Sequence, residues 1–121
     1  MQVLKVLLDV LGEPSYTVLQ LSADELREKL LLTNRTLEVS VRSIMRARKD
    51  ELLDLYSEFI RGIREGEQGR IRGIIVVWQL GNCTISFNGL QLRVRSCTLN
   101  DKLLKVLDIL KGSTIKVEVT L

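Results

Sequence analysis

Arg93 and Arg95 alternate with apolar residues in the run QLRVRS, and Arg70 and Arg72 flank an isoleucine in GRIRG. Guanidinium groups at every second residue of an extended chain project to one side of it. Each is a planar fork of donors that fits phosphate oxygens in pairs. Gln91 and Thr84 lie close by on adjoining strands and add neutral hydrogen-bonding groups. The candidate site is therefore Arg93, Arg95, Arg70 and Arg72 with Gln91 and Thr84, and its chemistry is recognition of an anionic backbone. The plain alternative is a solvated strand face, because arginine alternating with valine or leucine is also how a half-exposed strand stays soluble.

A second stretch offers backbone chemistry. Gly66-Glu67-Gln68-Gly69 is a GxxG run next to arginines, and at four positions it resembles the loop with which a KH domain clamps a nucleic-acid backbone. In that family the loop joins two helices. Here a β-rich run from Ile71 to Trp78 follows, and Glu67 places a negative charge where a phosphate would sit. The simpler reading makes Gly66 a helix C-terminal stop and Gly69 a turn residue.

Catalysis finds no foothold. The chain has no histidine, which removes the commonest general base and metal ligand. Asp50 and Asp54 are one helical turn apart but sit among Arg46, Lys49 and Glu58, as solvated charges do. No enzyme activity, cofactor or metal is expected.

The elements that must position these residues follow from composition and pattern. With 121 residues, 45% hydrophobic and 27% charged, the chain is expected to form a single domain over residues 1–121. That length buries roughly 65% of the unfolded surface without staples. The apolar start, Met1 to Leu11, contains Lys5 and Asp9 and is too short for a membrane span or a secretory signal, so a cytoplasmic protein is expected. The tripeptides Asn34-Arg35-Thr36 and Asn82-Cys83-Thr84 then count as chance matches to the glycosylation pattern. Charge is uneven: residues 1–60 hold 8 Lys+Arg against 10 Asp+Glu, and residues 61–121 hold 10 against 5, giving −2 and +5. An anionic partner should meet the second half. Abundant Glu, Lys and Arg with a single proline is compatible with a thermophile.

Val3, Leu4, Leu7, Leu8 and Leu11 recur at helical spacing before Gly12, predicting a helix over 2–11. Tyr16 to Leu21 alternates as a strand. Ser22-Ala23-Asp24-Glu25 reads as a capping box opening a helix to about Leu31, and Thr36 to Val41 alternates as a second strand. From about Ile44 to Ile63 the period is 3.6, the strongest helical pattern in the chain. Thr98 to Lys111 is another amphipathic helix, and Ile115 to Leu121 alternates as a last strand. The fold class is α+β: a mostly antiparallel sheet with a C-terminal three-stranded meander and helices packed on one face.

Two turn signals set the meander's registers. Gly81-Asn82 pairs Leu80 with Cys83, Trp78 with Ile85 and Val76 with Phe87. Asn88-Gly89, as a two-residue type I′ turn, pairs Phe87 with Leu90, Ile85 with Leu92 and Cys83 with Val94. Trp78 then belongs to the apolar face, as a core aromatic rather than a base-stacking platform. Cys83 and Cys97 fall on opposite faces, so they are expected as free thiols in a reducing compartment.

The order of elements, carried by DELLDLYSEFIRGI, GRIRGIIVVWQLG, CTISFNGLQLRVRS and DKLLKVLDIL, resembles a roadblock/LC7-type domain. The helix SADELREKLLL and the terminal strand TIKVEVTL depart from that pattern. The resemblance implies a dimerising scaffold that binds a small GTPase or a multiprotein complex. Residue chemistry points instead to a non-enzymatic protein that binds single-stranded DNA or RNA, since no groove-entering helix is evident. A homodimer or larger homo-oligomer is expected on either reading, because the first helix is apolar nearly all round and Ile75 and Val77 put apolar groups on the polar face.

Overall fold

The computed structural model describes residues 2–22, 40–66, 69–98 and 100–120, and every structural statement below concerns these. The elements run α1 (Val3–Leu11), β1 (Tyr16–Ser22), β2 (Ser40–Met45), α2 (Lys49–Arg64), β3 (Ile71–Leu80), β4 (Cys83–Phe87), β5 (Gln91–Arg95), α3 (Asp101–Leu110) and β6 (Lys116–Thr120). The strands form one six-stranded sheet in the order β2-β1-β3-β4-β5-β6. Four neighbouring pairs are antiparallel, and β5 and β6 are parallel, joined across α3. The α+β expectation with helices on one face holds.

Alternation sorts the side chains. Leu19, Ile74, Val76, Trp78, Ile85, Phe87, Leu92 and Val94 are all buried and form one core with Leu4, Leu7, Leu8 and Leu11 of α1, Leu52 and Tyr56 of α2, and Leu103, Val106 and Leu110 of α3. Trp78 is a core aromatic as expected, and its indole Nε1 donates to the carbonyl of Gly12 at 2.9 Å. Gly12, at φ 82°, ends α1 with its N–H on the Leu8 carbonyl, so the helix stop and the tryptophan anchor coincide. Ser15 adds a second clasp: its N–H donates to Val77 and its Oγ accepts from the Gln79 N–H. The apolar α1 is therefore largely covered within one chain, which removes that motive for self-association.

The strand after β1 runs Ser40–Met45, later than the alternation placed it, and α2 begins at Lys49 rather than near Ile44. Val41, Ser43 and Met45 pair with Leu21, Leu19 and Thr17 of β1. That ladder outweighs the helical period of the same residues. The expected helix beyond Ser22, residues 36–39 of the expected strand and the tripeptide at Asn34 lie outside the described residues. Ser22 itself is the last residue of β1.

Among the described residues two buried hydroxyls, those of Thr17 and Ser22, lack a hydrogen-bond partner. Thr17 is fully buried on the helix side of β1, opposite Val76, and its Oγ1 has no hydrogen-bond partner. A buried hydroxyl without a partner costs about 1–3 kcal/mol. Thr17→Val keeps the branched shape and removes the polar atom, so the variant is expected to gain about 1 kcal/mol in urea-induced unfolding; a loss of stability would contradict an unpaired hydroxyl.

Candidate nucleic-acid interface

The face of the sheet away from the helices carries the candidate residues in cross-strand rows. Arg95 lies opposite Thr84 on β4 and Thr120 on β6, and Arg93 opposite Ser86 and Glu118. Gln91 pairs with Lys116, and its Nε2 donates to the Glu118 carboxylate at 3.1 Å. Gln79 reaches Thr84 Oγ1 at 3.5 Å. Arg93 and Arg95 are exposed, and among the described residues neither guanidinium has an ion-pair partner. The structure thus brings Arg93, Arg95, Gln91 and Thr84 into one patch.

Arg70 and Arg72 do not join it. The Arg70 guanidinium is committed to Glu58 of α2, with Nη2 at 2.8 Å and Nε at 3.2 Å from the two carboxylate oxygens. That ties it to the helix layer. Arg72 sits where the β1–β3 register shifts between Gln20 and Leu21, a bulge at the far end of β3. It is five residues along β3 from Val77, which shares the row of Ser86 and Arg93. That distance is about 17 Å of strand.

The rest of the open face differs in character. Arg42 lies opposite Gln20, and Ile44 and Ile75 both flank Val18. Ile44 is 74% exposed and Ile75 43%. A groove of about 310 Å³ runs here, lined by Val18, Gln20, Arg42, Gly73, Ile75 and Asn88 among others. Tyr16 stands in the same row as Arg93, through Val77 and Ser86. Val77 faces this side yet is only 5% exposed beneath its neighbours. Arg42 and Tyr16 were missed as candidates; continued alternation through Val41-Arg42-Ser43-Ile44-Met45 was the signal for the first.

Two expectations need correction. Asn88-Gly89 does not close a two-residue turn: Phe87 pairs with Leu92 and Ile85 with Val94, two residues later than expected. The Asn88 Oδ1 accepts the N–H groups of Leu90 and Gln91 at 3.0 and 2.8 Å, and Gly89 takes φ 94° close beneath Phe59 and Tyr56. This side-chain closure makes a longer loop and leaves Leu90 77% exposed. The Gly81-Asn82 register is as expected. Second, Cys83 and Cys97 are not free thiols but a disulfide, with Cα atoms 4.4 Å apart. Strict alternation would keep them on opposite faces. Ser96, at φ 57°, breaks it and turns Cys97 inward beside the start of β4.

The GxxG run behaves as the simpler reading expects at its first glycine. Gly66, at φ 65°, follows the last turn of α2, and its N–H bonds the Ile63 carbonyl. A strand follows. Glu67 and Gln68 lie outside the described residues.

Electrostatics link the layers. The Lys49 ammonium, hydrogen-bonded to Asp9, holds that carboxyl below its usual range, and the Arg70 fork does the same for Glu58. Burial pushes the Tyr56 hydroxyl up. Depressed carboxyls contribute stability above their unfolded values near 4 that is lost as pH falls through the lower folded values. Melting temperature is therefore expected to hold from pH 7 to about 5 and to decline below about 4, with a shallower decline in Glu58→Gln. Both pairs are exposed, so the effect is small. An equal slope in the variant would remove Glu58 from this account.

Among the described residues, no cluster of His, Cys, Asp or Glu is built to hold a metal ion, and no helix is long and apolar enough to cross a membrane. The fold and the patch together define an α+β protein with an exposed, polar, net basic sheet face. Compared with known proteins, the chain matches no family model, no curated protein and no solved structure.

Proposed function

We propose that the protein is a non-enzymatic nucleic-acid-binding protein that holds the phosphate backbone of single-stranded DNA or RNA on the open face of its sheet. The observation that carries this reading is the pair of exposed guanidinium groups of Arg93 and Arg95, without an ion-pair partner among the described residues, set among the hydroxyls of Thr84, Ser86 and Thr120 with Glu118 and Lys116 on the neighbouring strand. A flat strand face with donors on alternate residues suits an extended, flexible strand better than a rigid duplex. Tyr16, at the other end of the Arg93 row, supplies an aromatic ring for a base. The site is then Arg93, Arg95, Gln91 and Thr84, without Arg70, which serves Glu58, or Arg72, which lies at the far end of β3. Backbone chemical-shift mapping with oligothymidine tests it: shifts should concentrate on β4, β5 and β6, and shifts confined to the helices would reject the assignment.

A specific observation favours a second reading. Ile44 and Ile75 leave an exposed apolar strip on β2, β1 and β3, which a protein partner would cover. On that reading the chain is a roadblock-like scaffold or regulator of a small GTPase, and self-association serves assembly. Both readings take the protein as a homo-oligomer in the cytoplasm. The disulfide removes the free-thiol argument for a reducing compartment, and a cytoplasmic setting then rests on a thermophilic source, in whose cytoplasm bridges persist.

A further inference from the structure

Among the described residues the sheet ends in two edges, β2 and β6. An uncovered edge strand is a template for another strand, and the identity of its side chains decides which partners it admits. In β6 and the residue before it they alternate: Ile115, Val117 and Val119 on the helix side, Lys116 and Glu118 on the open side. Val119 is 39% exposed although its neighbour Val94 is fully buried, so among the described residues nothing fully covers the apolar side of this edge.

Backbone polarity restricts how β6 can be extended. Its Lys116 N–H donates to the Leu90 carbonyl at 3.2 Å, and its Thr120 carbonyl accepts from the Ser96 N–H at 2.9 Å. In a parallel pair alternate residues face the neighbour. Residues 116, 118 and 120 therefore turn their peptide groups to β5, while Val117 and Val119 turn theirs to the free edge. An antiparallel partner must place outward-facing residues opposite outward-facing ones.

The geometry points to a second copy of this chain as that partner, with β6 pairing antiparallel to β6 about a two-fold axis at Val117. In this register Val117 meets Val117 of the second copy as a hydrogen-bonded pair, and Val119 meets Ile115. Lys116 meets Glu118, twice, at the closer non-hydrogen-bonded positions, about 4.5 Å between Cα atoms. Moving the centre by one residue puts Lys116 against Lys116 or Glu118 against Glu118, and like charges directly opposite are destabilising. Only the register centred at Val117 matches charge, apolar side and backbone together. Edge β2 offers no such match, since Ser40–Met45 carries Arg42 and no acidic residue.

The product is one continuous twelve-stranded sheet with both helix layers on one side. The two open faces become a single surface, and the two β5 strands lie three strand spacings apart, about 14 Å. This specifies the self-association reading given above and rests on it, while standing apart from nucleic-acid binding.

Charge exchange at the edge tests it in buffer without nucleic acid. Glu118→Lys and Lys116→Glu are both at exposed positions, and circular dichroism checks that each variant folds. Light scattering of the unchanged protein should give twice the 13.8 kDa chain mass at micromolar concentration. Each single variant should raise the dissociation constant roughly tenfold or more. Mixing E118K with K116E in equal amounts, or combining both changes in one chain, should restore the dimer. An unchanged protein that stays at the mass of one chain overturns both self-association and this edge. A dimer that neither single variant weakens leaves self-association standing and overturns the β6 pairing, as does weakening that mixing fails to rescue.

Discussion

Removing the Cys83–Cys97 bridge is expected to lower the unfolding free energy by about 3 kcal/mol. The two cysteines are 14 residues apart in sequence. Closing a loop of about 15 residues removes about 3 kcal/mol of chain entropy from the unfolded state. The bond also ties the first residue of β4 to the segment leaving β5, so it fixes the end of the strand that carries Arg95. Cys97 is buried in the core, and replacing both residues by alanine avoids leaving a polar atom there. Urea unfolding of C83A/C97A, beside the unchanged protein with and without reductant, measures the effect. Equal stability with and without reductant would show that the bridge contributes nothing. Alkylation of two thiols in the folded, non-reduced protein would show that it does not form.

Changing Arg93 and Arg95 together to alanine is expected to weaken single-stranded oligonucleotide binding by roughly tenfold or more at low salt, without unfolding the protein. Both side chains are exposed, and the apolar side of β5 is made by Leu92 and Val94, which the change does not touch. Each phosphate contact on a single strand contributes about 0.7 to the slope of log affinity against log salt, so the double variant should lose roughly 1.4 from its magnitude. Arg70→Ala is the matched control. Its guanidinium already serves Glu58, so its loss should change stability more than the salt slope.

The fold was legible where hydrophobic period and turn chemistry agreed. The Gly81-Asn82 turn carried the β3–β4 register, and Trp78 was placed in the core by it. The β4–β5 register came out two residues off, because the Asn88 side chain closes a longer loop than Asn-Gly alone implies. A two-residue error preserves which side each residue faces. The arginines therefore remained on the open face. Parity could not foresee Ser96, whose positive φ carries Cys97 out of alternation and into a bond with Cys83. Nor could it separate the four arginines. Arg70 reads like Arg93 in sequence, and only the packing of α2 brings Glu58 against it. The strand at Ser40–Met45 was hidden for a related reason, since six residues of mixed pattern become a strand when β1 is beside them.

Fluorescence anisotropy of a labelled single-stranded oligonucleotide, titrated with the unchanged protein from low to physiological salt, tests the central claim most directly. Binding is expected at low salt, with log affinity falling linearly with log salt at a slope of roughly −1.4 or steeper for the two arginine contacts. A duplex of the same length should bind more weakly. No binding at low salt, or binding that does not respond to salt, would contradict a phosphate-holding sheet face and leave the exposed strip at Ile44 and Ile75 as the surface to explain.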